Sequence, residues 1–215
     1  MNNLIQKKIK KKFVLAIIPA RKSSKRLKNK HILKINNKPL IQYTLEAAKK
    51  AKKINKTILF TNDERLKKIA GNYNKNKFQI YNRSNSISKS FSSPIEYVES
   101  ALKIFFNYNF FIPEFVLILQ PTSPLRTSND IDKSISIMLS KKINSLISIT
   151  DPIQDPSECI YIKKGKKNFN HIYVPKANNK HPITNQQSKI KTFFIDGSIY
   201  IFRSIFFYKK KKIFD

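Results

Sequence analysis

Glycine is scarce in this 215-residue chain, with three residues, and tryptophan is absent. No glycine precedes position 71, so no glycine-rich Walker-type loop can follow the first apolar segment. A single cysteine, Cys159, rules out an internal disulfide, and it reads as a structural or incidental thiol rather than a reactive one. No apolar run reaches the roughly 18 residues of a membrane-spanning helix. The basic start MNNLIQKKIKKKF leads into a short FVLAIIPA and then ARKSSKR, without a convincing signal-peptide core or cleavage site, so a cytoplasmic protein is expected. Zinc-finger spacings and RNP-type aromatic motifs are also missing.

Acidic residues number only 13 against 43 basic ones, a formal charge of +30. Polyanion binding is one reading of that charge. Composition supplies another: lysine outnumbers arginine 37 to 6, and Lys, Asn, Ile, Phe and Tyr all have A/T-rich codons. Stretches such as Lys49-Lys50-Ala51-Lys52-Lys53 fit a solvated face, and compositional drift is the preferred explanation. The field would still attract an anionic nucleotide. Forty per cent hydrophobic residues suffice for a core, and the length suits one α/β domain with a small appendage.

Apolar patterning alternates strand and helix. Strands are expected at 13–18, 57–60, 78–81, 115–119 and 145–150, with helices at 39–53, 64–74, 94–107 and 128–142. Ser93-Pro94-Ile95-Glu96 has the spacing of a capping box. Beyond Asp151-Pro152 the rhythm changes: 158–163 and 168–174 flank a Lys/Gly turn and read as a hairpin. Residues 175–191 are loop-like, 193–202 read as a strand interrupted at Asp196-Gly197, and the lysines at 209–212 read as a basic tail. The expected fold is a doubly wound, mostly parallel α/β sheet with a ligand at the carboxyl ends of its strands.

Two loops carry chemistry. After the first strand, Arg21, Lys25, Arg26, Lys28 and Lys30 place five cations within ten residues, with serines between them, as a polyphosphate needs. A solvated basic loop would look the same. After the most apolar strand, Gln120-Pro121-Thr122-Ser123-Pro124-Leu125-Arg126 is stiffened by two prolines, which fix the directions of Gln120, Thr122 and Ser123. Such groups suit a polyhydroxylated sugar, or simply a rigid strand-to-helix connection.

Together these segments resemble the acylneuraminate cytidylyltransferases. The ARxxSKxxxxK pattern starting at Ala20, the run Asn37-Lys38-Pro39-Leu40-Ile41, Thr61-Asn62-Asp63, Arg83, an unaltered QPTSPLR at 120–126 and Asp196-Gly197-Ser198-Ile199-Tyr200 occur in order and at the family's spacing, over about residues 13–205. The resemblance implies a Rossmann-like nucleotidyltransferase fold, with a basic tail at 1–12, one domain at 13–215, and 151–190 as a dimerisation or sugar-side extension. It implies transfer of CMP from CTP to a nine-carbon 2-keto-3-deoxy sugar acid of sialic, legionaminic or pseudaminic type. The QPTSP motif, where relatives acting on an eight-carbon sugar carry QGDEP, favours the nine-carbon class. Arg21 and Lys25 would be the catalytic cations. Ala20, Arg21, Ser24, Lys25, Lys30 and Arg83 would bind the nucleotide, and Gln120, Ser123, Asp196 and Tyr200 the sugar. Mg²⁺ and a homodimer are implied with them.

The sequence departs from the family pattern at several points. Lys22-Ser23 stands where Gly-Gly is common, His31 where an Asn is usual, and Gln186 in the region of a carboxylate-pairing Arg. No Ile-Asp-x-Asp-type segment for magnesium is found. Asp130 and Asp132 sit at a helix start, where capping explains them, which leaves Asp63 as the local metal candidate. A truncated or degenerate nucleotide- or sugar-binding protein of the same fold is the alternative, and a basic nucleic-acid binder the remote one.

Overall fold

Alternation of buried side chains along the first strand organises the molecule. The computed structural model describes residues 8–22, 27–73, 75–84, 93–154, 161–164, 170–173 and 191–214. In β1 (Ile9–Ala20), Val14, Ala16, Ile18 and Ala20 point to one face of the sheet, and Phe13, Leu15 and Ile17 to the other. From Phe13 to Ile18 both faces are buried, as expected for the apolar part of a central strand.

Next come a two-residue pair, β2 (Lys34–Ile35) with β3 (Lys38–Pro39), then α1 (Leu40–Lys50), β4 (Lys56–Thr61), α2 (Glu64–Gly71) and β5 (Phe78–Asn82). They are followed by α3 (Pro94–Asn109), β6 (Ile112–Ile118), α4 (Ser128–Ser140) and β7 (Ser145–Thr150). The chain continues through β8 (Tyr161–Lys164), β9 (Asn170–Tyr173), β10 (Phe194–Arg203) and α5 (Ser204–Lys210). Six strands form the main sheet in the order β5-β4-β1-β6-β10-β7. β1 pairs in parallel with β4 and β6, β4 pairs in parallel with β5, and β10 runs antiparallel to β6. Helices α1, α2 and α4 cover one face, α3 and α5 the other. This is the doubly wound, mostly parallel architecture that the alternating pattern implies.

Two compact units are distinguished, residues 1–148 with 197–215, and residues 149–196. The second holds the antiparallel pair β8–β9, with Tyr161 opposite Tyr173 and Lys164 opposite Asn170. Among the described residues no helix is long and apolar enough to cross a membrane.

Local chemistry explains where the elements depart from the sequence reading. β1 begins at Ile9, inside the segment expected to be a tail, because Ile9 and Lys10 pair with Ile112 and Pro113. The register shifts before Val14, where Lys12 adopts φ 55° and its amide donates to Glu114 Oε2 at 2.7 Å. The Lys10 ammonium lies 5.1 Å from the Phe13 ring centroid and 4.7 Å from that of Phe111, so a lysine-rich end still packs on aromatic surface. Helix α3 does start with Pro94 in its first turn, but the expected capping box is not formed as read: Ser93 Oγ accepts from the Ile95 amide. The reciprocal box occurs at α4, between Thr127 and Asp130. β10 passes Asp196-Gly197 without a break, and part of the lysine run closes α5.

Asp132, expected to serve the helix start, instead reaches across the fold. Its two carboxylate oxygens accept the amides of Lys52 and Lys53 at 2.9 Å each, pinning the α1–β4 connection. Replacing it with alanine should lower stability by about 1–2 kcal/mol, the usual worth of hydrogen bonds to a partly exposed charge. A shift of the urea midpoint at unchanged slope is the measurement.

Candidate active site

The strand order reverses between β1 and β6: from β1 the sheet continues to β4 and β5 in one direction, and from β6 to β10 and β7 in the other. Ile17 is level with Ile118, and the Leu119 amide donates to Ile17 O at 3.0 Å. The two chemistry-bearing loops therefore leave neighbouring parallel strands at the same end, Arg21 directly after β1 and Gln120 two residues after β6. This is the topological switch point at which doubly wound sheets form their ligand crevice.

On the β1 side, Ala20 is fully buried opposite Thr61 of β4, and the backbone turns out of the sheet at Arg21. The Lys22 amide donates to Asn62 Oδ1 at 2.9 Å, which ties the β1 loop to the end of β4. The Arg83 amide donates to Thr61 O at 3.0 Å, so the β5 end joins the same group. Arg83 is buried, with its guanidinium carbon 5.3 Å from the Tyr97 ring centroid and 5.8 Å from that of Phe60. Burial lowers its pKa from the ordinary arginine value, and the nearby Arg21 acts in the same direction. An arginine stays charged all the same, so two guanidiniums share this corner. Ser24 and Lys25 lie outside the described residues.

Lys30 and His31 follow in the turn before β2. His31 is buried, and its Nδ1 has no hydrogen-bond partner among the described residues. Burial first, then the Lys30 charge, lower its pKa to about 4 against a smaller opposing effect of Asp63, with Arg21 adding to the lowering. His31 is thus a neutral imidazole at neutral pH, set among the loop's cations.

Asp63, the metal candidate, already has a structural task. It caps α2, with Oδ1 accepting from the Arg65 amide at 3.0 Å and from Arg65 Nε at 2.9 Å. Oδ2 accepts from Arg65 Nη2 at 2.7 Å, and the same nitrogen reaches Asn29 Oδ1 at 2.8 Å. The hydrogen bonds from Arg65 hold the carboxyl below the usual carboxylate range, against the opposing effect of its burial. Both oxygens being taken, Asp63 is poorly suited to a metal. Among the described residues no three His, Cys, Asp or Glu side chains gather where they could hold one. The described residues do not fit a protein-held magnesium ion.

The β6 loop is compact. The Ser123 amide approaches Gln120 O at 3.4 Å, and the Arg126 amide approaches Ser123 O at 3.4 Å. Thr122 Oγ1 lies 3.4 Å from Gln120 Oε1. Gly197 faces this loop from β10 with φ +75°, a conformation that side chains rarely adopt. A Cβ at this position would stand 3.7 Å from both Gln120 Oε1 and Tyr200 Oη, so two of the sugar-side candidates converge on the space that the glycine leaves. Tyr200 also interacts electrostatically with Tyr97, which links the sugar-side group to the Arg83 pocket; burial pushes the Tyr97 phenol up. Asp196 is exposed and belongs to the second compact unit.

The sequence profile of the family described as "Cytidylyltransferase" matches residues 15–212, nearly the whole chain. The chain belongs to the cytidylyltransferase family. It is 31% identical over 191 residues to an N-acylneuraminate cytidylyltransferase of Escherichia coli, covering 83% of this chain and 44% of that protein. It thus spans less than half the length of that relative. It is 28% identical over 205 residues to post-translational flagellin modification protein B of Campylobacter coli, covering 94% and 82%, and 27% identical over 189 residues to a pseudaminic acid cytidylyltransferase of Campylobacter jejuni, covering 86% and 76%. The fold matches a CMP:2-keto-3-deoxy-manno-octonic acid synthetase complexed with CTP, at TM-score 0.61 and 18% identity over 92% of this chain and 78% of that one.

In this cytidylyltransferase-family chain Arg21 lies near enough to act on the buried Arg83, and Gln120 and Tyr200 converge on Gly197. The sequence did not single out Tyr97, which lies under the Arg83 guanidinium, and it offered Asn62, which holds the β1 loop, only as part of Thr61-Asn62-Asp63. Tyr97 sits four residues after Ser93, one turn into α3, and no local signal separates it from core aromatics.

Proposed function

We propose that the chain transfers CMP from CTP to a nine-carbon 2-keto-3-deoxy sugar acid of sialic, legionaminic or pseudaminic type, with release of pyrophosphate. The observation that carries this is the departure of the cationic loop and the QPTSPLR loop from neighbouring ends of β1 and β6 at the switch point. The names of the E. coli and C. jejuni relatives support the nine-carbon class.

In this reading Arg21, Ser24, Lys25 and Lys30 hold the triphosphate, with the Ala20 backbone and Arg83 beside the nucleotide. Gln120, Ser123, Asp196 and Tyr200 face the sugar. Arg21 and Lys25 act on the reacting phosphates as the sugar's anomeric oxygen bonds to the α-phosphorus and the bond to the pyrophosphate oxygen breaks. The protein contributes alignment and preorganised positive charge. The resemblance implies magnesium, but the described carboxylates do not gather around a metal. Residues 13–215 are read as one nucleotidyltransferase domain, with 151–190 as an extension through which the protein forms a homodimer. Ile153 within that segment, and Phe193 and Phe194 just after it, are exposed apolar surface that a second copy would cover.

The test is pyrophosphate release from CTP with N-acetylneuraminate, pseudaminate and N,N'-diacetyllegionaminate in turn. Release with at least one acceptor, dependent on that acceptor, is expected. CTP binding by calorimetry without release for any of them would instead support a degenerate binding protein, a reading favoured by the capture of Asp63 by Arg65.

A further inference from the structure

Arg126 ends the QPTSPLR motif, yet it does not belong to the exposed part of that loop. Its side chain is buried, and it spans three elements. Nη1 donates to Gln120 O at 3.1 Å and to Ser198 O at 2.7 Å, while Nη2 donates to Thr44 Oγ1 at 2.8 Å inside the core. One guanidinium thus joins the loop after β6, the middle of β10 and helix α1, through acceptors 6, 72 and 82 residues away in sequence.

The two carbonyls it holds are informative. Gln120 and Ser198 flank the place where Gln120 Oε1, Gly197 and Tyr200 Oη converge. Clamping Gln120 O fixes the base of the Gln120 side chain. Clamping Ser198 O fixes the backbone between Gly197, in its left-handed conformation, and Tyr200. A charge-assisted bond is about twice as strong as a neutral one, and the planar fork offers donors in fixed directions. A buried charge is retained at a cost in desolvation, so its place beside these two carbonyls calls for a gain elsewhere.

We propose that Arg126 is a positioning residue for the acceptor side of the site: it sets the separation of Gln120 and Tyr200 and therefore the affinity for the sugar acid, while leaving the nucleotide side untouched. This rests on the reaction proposed above for the choice of ligand. The nucleotide candidates Arg21 and Arg83 follow the ends of β1 and β5, whereas Arg126 bonds to the loop after β6, to β10 and to α1.

The experiment compares wild type, Arg126→Lys and Thr44→Val by steady-state kinetics and by amide hydrogen exchange without ligands. Lysine keeps the charge but its compact ammonium cannot bridge the acceptors of both Nη atoms; Thr44→Val is a milder, nearly isosteric removal of one acceptor. Arg126→Lys should raise the KM for the acceptor about 10-fold or more, as expected when rigid placement of contact groups is lost, and change the KM for CTP less than about 2-fold. Exchange should quicken at 120–126 and 197–200, with Thr44→Val intermediate in both readouts. A KM for CTP rising in step with that for the acceptor would reduce Arg126 to a general stabiliser and overturn the proposal, as would unchanged exchange in both segments. Failure of the wild-type protein to use any acceptor overturns the assigned reaction instead, and the exchange comparison then decides the clamp by itself.

Discussion

Arg21→Ala should lower kcat/KM for CTP about 100- to 1000-fold, the range seen when one preorganised donor to developing charge is removed from an enclosed site. Arg21 stands at the one place where the backbone leaves the fully buried end of β1, so its origin is as rigid as the sheet itself. The neighbouring loop is tied down by the Lys22 amide on Asn62, and the buried Arg83 lies close enough for Arg21 to act on its pKa. Two like charges in one corner repel unless an anion joins them, and a triphosphate supplies that anion. The side chain of Arg21 is only partly buried, so the variant should keep its unfolding midpoint. Arg21→Lys should recover a minor part of the loss, because a point charge replaces a bidentate fork. A fall of less than about 3-fold in kcat/KM would remove Arg21 from the transition state and the cationic loop from the mechanism.

Phe105→Ala should cost about 3–5 kcal/mol of folding stability, the range for truncating a buried aromatic residue. Phe105 is fully buried in α3, packed under the sheet face that carries Leu15 and Ile17. Its ring centroid lies 6.0 Å from that of Phe13 and 5.3 Å from that of Phe111, the latter edge-on. Truncation empties part of that aromatic group and leaves Phe13 and Phe111 facing a void. Chemical denaturation should show a large drop in midpoint. A loss below about 1 kcal/mol would mean that this face collapses around the gap and that α3 is packed less tightly than described.

The layers of the fold were legible because they are written locally. The apolar run at 13–18 in β1, the apolar run of β6 and the Pro94 start of α3 each lie within a short window. The two site loops were legible for the same reason: strand, then polar turn, then helix. What remained hidden depends on distance along the chain. The clamp of Arg126 on Thr44 and Ser198, the hold of Asp132 on Lys52 and Lys53, and the reach of Arg65 to Asn29 are side-chain choices among several polar partners, decided by tertiary packing. The short pair β2–β3 and the helix α5 also escaped notice. The first is two residues per strand with asparagines at positive φ, and the second was masked by a lysine run that reads as solvated tail.

The place of β10 has a consequence for biosynthesis. Four strands of the sheet, β5, β4, β1 and β6, are complete once residue 118 has been made, and their parallel pairing can begin. The next slot belongs to β10, about eighty residues later, and β7 must wait beyond it although it is translated first. Through that interval the outer edge of β6, the most apolar strand, stands unpaired on a nascent chain, open to chaperones or to a neighbouring copy. Slowing translation between codons 119 and 203 should therefore reduce the soluble yield more than the same slowing placed before codon 112.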